Sequence, residues 1–144
     1  MAVILTVICA VVAGSLIAIW SKRTADQRDI EEHSITPEAL HTLLANQKIL
    51  LFDVRQPLDL LANSEIIPGA KRIPPKDVLE NPTLIPKEQD SIIYCTCPSD
   101  KTSRIILRRT RALHFLRIKF LKGGLAAWKA MGYPVEPYTQ SFHL

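Results

Sequence analysis

Residues 91–104 read SIIYCTCPSDKTSR, and the fold of the chain turns on how this stretch is read. Ser91-Ile92-Ile93-Tyr94-Cys95 is a short continuous apolar run, the pattern of a strand buried on both faces as in a parallel sheet. Pro98 and small polar residues follow it, then a segment from Ser103 to Leu113 that carries Ile105, Ile106, Ala112 and Leu113 as apolar positions with arginines on the other side. Strand, tight loop and helix in that order predict a βα unit, with the loop beyond the carboxyl end of the strand. That is where open parallel sheets bind ligands. The amides of a tight loop and a helix N-terminus favour an anion there, and the same field lowers the pKa of a cysteine.

Working outward, the same alternation repeats. Thr36-Pro37-Glu38 opens a helix, with Thr36 as cap and Pro37 at the first helical position, ending near Asn46. Ile49 to Val54 is a second buried-type strand, and Gln56 to Ser64 has the makings of one or two helical turns. Ile66 to Ala70 reads as a turn with an apolar anchor, Lys71 to Ile73 as a short strand, Lys76 to Glu80 as a short helix and Asn81 to Asp90 as a loop. Beyond the central unit, Ile118 to Leu121 is a strand, Gly123-Gly124 a turn and Leu125 to Met131 a helix that Gly132-Tyr133-Pro134 ends. Strands alternating with helices predict an α/β domain in three layers around a mostly parallel sheet.

Ahead of this domain, residues 3–20 contain no charge. As a helix, eighteen residues span about 27 Å, enough for a bilayer core. Trp20 stands at the interface position, with Lys22, Arg23 and Arg28 just beyond. Met1-Ala2 carries no basic side chain, unlike the leading region of a cleaved signal peptide. The expected organisation is therefore a transmembrane anchor at 1–20, a polar linker at 21–34, the α/β domain at 35–137 and a tail at 138–144. The positive-inside rule puts the domain on the cytoplasmic side of the cell (inner) membrane.

Composition narrows the function. The net charge of +4 is modest, its one basic concentration being Arg104, Arg108, Arg109 and Arg111, and no nucleic-acid reading motif accompanies it. The three cysteines, Cys9, Cys95 and Cys97, are too few for a disulfide scaffold. Two thiols cannot complete a zinc site, and His33, His41, His114 and His143 lack ligand spacing. Cys95 continues the apolar strand and is read as packed. Cys97 lies past the strand, where packing gives less reason for a thiol, and is the candidate nucleophile.

Five segments, in order, carry a resemblance to a known family: Asp53-Val54-Arg55 after a buried strand; Ile67-Pro68-Gly69-Ala70 with Ile73-Pro74 behind it; Tyr94-Cys95; Lys122-Gly123-Gly124-Leu125-Ala126-Ala127-Trp128; and Gly132-Tyr133-Pro134-Val135. From about Ile35 to Pro137 the chain resembles a rhodanese domain, the sulfurtransferase fold. The resemblance implies transfer of sulfane sulfur through a cysteine persulfide, from a donor such as thiosulfate to a thiol acceptor, with neither a metal nor an organic cofactor. It also implies a loop of six residues from the nucleophile to a Ser or Thr that opens the helix. Ser103 is six residues after Cys97 and eight after Cys95, so loop length selects Cys97, while the Tyr-Cys strand ending leaves Cys95 as the alternative. Ser99, Asp100, Lys101, Thr102 and Ser103 would form the substrate cradle. A similar CTCP loop occurs in rhodanese-like domains joined to membrane segments. Asp53 and Arg55 read as fold-holding partners and Trp128 as core.

The chain departs from the family pattern at several positions. Thr102 stands where many active members have Arg, Asp100 adds a negative charge to the loop, Pro98 removes an amide donor, and Ile66 replaces a histidine. These leave open a catalytically weak binding or scaffold module, and a thiol redox relay between Cys95 and Cys97. A cysteine phosphatase is disfavoured, since the position six after Cys97 is Ser103 and Arg104 comes one later.

Overall fold

A computed structural model describes residues 1–96 and 100–140 of the chain. It divides into two units, Met1–Glu32 and His33–Leu144.

The first unit is a single helix, α1 (Ala2–Glu32). Its hydroxyls are satisfied internally: Thr6 donates to the Val3 carbonyl, Ser15 to Val11 and Ser21 to Ala18, at 2.8, 2.8 and 3.0 Å. A helix that pairs its own polar groups is one of the two backbone solutions compatible with a hydrocarbon environment. The helix is long and apolar enough to cross a membrane, and its apolar window is exposed throughout. It does not stop at Trp20. Residues 21–32, expected as a polar linker, prolong it, because neither Gly nor Pro interrupts a run rich in helix formers.

The second unit carries the sheet. Its elements are β1 (Ser34–Ile35), α2 (Pro37–Asn46), β2 (Leu50–Asp53), α3 (Pro57–Ala62), β3 (Glu65–Ile66), β4 (Lys71–Arg72), α4 (Pro75–Glu80), β5 (Ser91–Tyr94), α5 (Lys101–Ala112), β6 (Ile118–Leu121), α6 (Gly124–Ala130) and β7 (Glu136–Pro137). A 3-10 turn at Pro82–Leu84 follows α4. Strand order is β1-β6-β5-β2-β4, all parallel, with β3 and β7 forming a separate antiparallel pair. Register sets Asp53 beside Tyr94 and Ser91 beside Ile118.

Period-two alternation divides the strand side chains between two faces. Leu51, Ile92, Tyr94 and Leu121 share one core with Leu40 of α2 and with Leu125 and Trp128 of α6. Phe52, Ile93 and Phe120 point the other way and are also buried; α5 packs on β6, and α4 on α5. Burial on both faces is why β2 and β5 are apolar without interruption. Helix α2 begins as its sequence dictates, with Pro37 in the first turn and the Thr36 hydroxyl accepting from the Ala39 amide at 3.3 Å. At Ile67-Pro68-Gly69-Ala70 the Ala70 amide donates to the Ile67 carbonyl at 3.0 Å and Gly69 has φ +82°, a type II turn with proline and glycine at the positions that geometry prefers.

Candidate active site

The carboxyl end of β5 is fixed by the turn that follows β6. Cys95 is buried, and its carbonyl accepts from the Leu125 amide at 2.8 Å. Gly124 has φ +58°, and a Cβ there would lie 2.1 Å from the Cys95 oxygen. No other residue fits that spot without moving backbone. The next contact up the loop comes from the same turn: the Gly123 amide donates to Asp100 Oδ2 at 2.9 Å. Asp100 is 2% exposed and left-handed at φ 53°, and its carbonyl accepts from the Arg104 amide, closing the first turn of α5.

Helix α5 therefore starts at Lys101, one or two residues before the start expected near Thr102 or Ser103. The amides of Lys101, Thr102 and Ser103 are the open first turn of a twelve-residue helix, where donors lack intrahelical acceptors and the dipole is positive. Lys101 is exposed, Thr102 half-buried and Ser103 fully buried. Among the described residues, the buried hydroxyls of Ser103 and Thr96 have no hydrogen-bond partner. Such groups are costly unless something polar meets them. Cys97 and Ser99 lie outside the described residues. The structure thus gathers Cys95, Asp100, Lys101, Thr102 and Ser103 at one end of β5, with the Asp100 carboxylate engaged by the glycine turn.

Beneath the loop lies a buried polar network. Arg55 and Asp53 are both fully buried and form an ion pair, with Arg55 Nε 2.9 Å from each carboxylate oxygen. The remaining Arg55 donors reach the carbonyls of Asn63 and Glu65, each at 2.7 Å, tying α3 and β3 to the end of β2. Tyr94 donates its hydroxyl to Asp53 Oδ2 and accepts from the Ile67 amide, both at 3.2 Å. Desolvation, reinforced by the Asp53 charge, drives the Tyr94 phenol far above its ordinary range, so it stays a donor. Burial lowers the pKa of Arg72, which stands at the end of β4, with Asp53 opposing the shift. Asp53 and Arg55 occupy the fold-holding position expected of them.

One further side chain falls as the sequence suggests. Trp128 is 1% exposed and donates from Nε1 to the Pro134 carbonyl at 2.8 Å, beside Tyr133, which stacks on His41. Arg104 lays its guanidinium over the Phe120 ring, 5.0 Å from the centroid. No group of three metal-ligating side chains occurs among the described residues. The clamp from Asp100 to Gly123 and the seat of Cys95 on Gly124 were not anticipated. Their only trace in the sequence is the Gly-Gly pair after a strand, which reads equally well as an ordinary turn.

Comparison with known proteins agrees with this architecture. The rhodanese-like domain model matches residues 36–131. A sulfurtransferase of Allochromatium vinosum is 30% identical over 110 residues, covering 72% of this chain and 94% of that protein. The uncharacterized protein slr1261 of Synechocystis is 32% identical over 101 residues, covering 70% of this chain; the chain spans about half of that relative, 54% of its length. Among solved structures, the rhodanese-like domain of Alr3790 from Anabaena superposes with a TM-score of 0.62 at 27% identity, over 73% of this chain and 79% of that one. A parallel sheet whose central strand runs into a cysteine loop seated on a glycine turn, together with a family match over most of the folded unit, makes this chain a member of the rhodanese-like domain family.

Proposed function

We propose that the chain is a membrane-tethered sulfurtransferase that carries sulfane sulfur as a persulfide on Cys97. The observation that supports it most is the open first turn of α5, with the buried Ser103 hydroxyl in it, directly after a cysteine loop. Three amides and a helix dipole at that place stabilise an anion. They would favour both the thiolate that attacks and the persulfide anion that results.

The transfer balances in two displacements. The Cys97 thiolate attacks the outer sulfur of a donor such as thiosulfate; the donor S–S bond breaks and its electron pair leaves with sulfite. An acceptor thiolate then attacks the outer sulfur of the Cys97 persulfide, and the Cys97 thiolate departs. The chain's own groups hold the negative charge in each step and exchange no electrons with a cofactor. The Asp100 carboxylate, engaged by the Gly123 amide, acts as a loop anchor in this reading. Helix α1 supplies the tether through residues 3–20, and the charges that follow Trp20 favour the cytoplasmic side of the inner membrane for the domain.

Intact mass of the detergent-solubilised chain, exposed in turn to thiosulfate, a polysulfide and a persulfide donor, tests the reading. The expected result is a gain of one sulfur atom, removed by cyanide or thiol, retained in Cys95→Ser and absent from Cys97→Ser. Equal loading of Cys97→Ser and the parent would overturn the assignment.

A further inference from the structure

We infer that the outer face of α5 rests on an anionic lipid surface, fixing the orientation of the domain at the bilayer. The inference rests on the tether proposed above. It starts from a segregation of charge: residues 101–135 contain nine Lys or Arg and no Asp or Glu. Within His33–Leu144, every acidic residue except Glu136 precedes position 101.

Helix α5 turns this asymmetry into a surface. Its buried side is Ser103, Ile106, Leu107 and Thr110. On the opposite side, Lys101, Ile105 and Arg109 recur every four residues and are exposed, so they lie along one line of the helix. Leu113 at the helix end is exposed as well. Ile105 and Leu113 are 42% and 39% exposed.

Cations interleaved with aliphatic side chains are the pattern of an interfacial helix. The apolar groups enter the headgroup–acyl boundary and the cations meet lipid phosphates. An acidic protein partner would answer the charges and leave the two aliphatic side chains without a reason. A bilayer answers both and is already tethered to the domain, so its effective concentration is high and weak contacts suffice.

The test uses the full chain, reconstituted into vesicles, with a photoactivatable benzophenone side chain at position 105. Vesicles of phosphatidylcholine alone are compared with an equimolar mixture with phosphatidylglycerol. Co-flotation of the chain with both kinds of vesicle reports the tether. Lipid adducts at position 105 report the face. They are expected to be several-fold more abundant with the anionic lipid and to fall toward the neutral-vesicle level in high salt. At limiting anionic lipid, Arg109→Gln should lower them about fivefold, the equivalent of one basic residue at such a surface, while Arg109→Lys restores them. An unchanged thermal midpoint in both variants shows that the fold is intact. A chain that does not float with vesicles overturns the tether and this inference together. A chain that floats but gives equal adducts in the two lipids, or none, overturns the inference alone. Adducts to an added acidic polypeptide in place of lipid would assign the face to a protein partner and also overturn it.

Discussion

Tyr94 shows how much one side chain can hold together. Its hydroxyl lies between the Asp53 carboxylate and the Ile67 amide, so it links the ion pair at the end of β2 to the turn before β4. Tyr94→Phe leaves that buried amide without its acceptor, and equilibrium unfolding should show a loss of about 1–3 kcal/mol. The same residue sets an alkaline limit. Its folded pKa is raised, so the neutral phenol contributes stability that is fully present below the unfolded value of about 10 and is lost as pH rises beyond it. The parent should therefore lose stability steeply above that pH, and Tyr94→Phe should lose less. A midpoint measured against pH for both proteins checks this, and parallel curves would refute it. Asp53 and Arg55 were legible as structural partners because they stand at and just past the end of a strand too apolar to hold a lone charge. Tyr94 was legible only as a strand residue, since its partners stand 41 and 27 positions away.

At the level of elements, the turn between β6 and α6 does what the loop cannot do for itself. Gly124→Ala places a methyl against the Cys95 carbonyl and forces a left-handed residue to carry a Cβ. The backbone penalty alone is about 1–3 kcal/mol. Gly69→Ala is the matched control: its φ is +82°, yet nothing lies within 4 Å of the added Cβ. Urea unfolding should place Gly69→Ala at the conformational cost of about 1–2 kcal/mol and Gly124→Ala beyond it. Only Gly124→Ala should also slow sulfur loading, because only it shifts the end of β5; equal effects of the two would show that the close approach is unimportant. The elements visible in advance were those whose pattern is local. These include the apolar runs of β2 and β5, the cap and proline of α2, and the helical spacing of α5. The two-residue strands β1, β3 and β7 were not visible, since Glu65 and Ile66 become a strand only by pairing with Pro137 and Glu136 some seventy positions on. The start of α5 was misplaced for a related reason. An aspartate before a helix usually caps it with its side chain, whereas Asp100 gives its carboxylate to another element.

Across the whole folded unit, chemistry and support occupy opposite ends of the sheet. The carboxyl ends of the strands carry the cysteine loop and the polar network. The amino ends are tied by Arg117, which donates to the Asp90 carboxylate at 2.9 Å and to the Glu88 carbonyl. Hydrogen bonding to Arg117 holds the Asp90 carboxyl below its usual range. Because that folded value is depressed, the pair contributes above the unfolded pKa and its contribution is lost as pH falls through the folded one. Arg117→Gln should return Asp90 toward about 3.9 in a carboxyl-carbon titration, with sulfur loading unchanged. A change in loading would mean that the two ends communicate. The division has a last consequence in the cysteine loop, where Cys95 and Asp100 are both moored to one short turn by neighbouring amides, Leu125 to the first and Gly123 to the second. An arch whose two piers share a foundation can change its span without disturbing the ground. With Cys95 and Asp100 held in this way, residues added or removed between them would leave the moorings in place, so on the sulfur-carrying function proposed above selectivity for donor size can drift, or be engineered, almost independently of the fold that bears it.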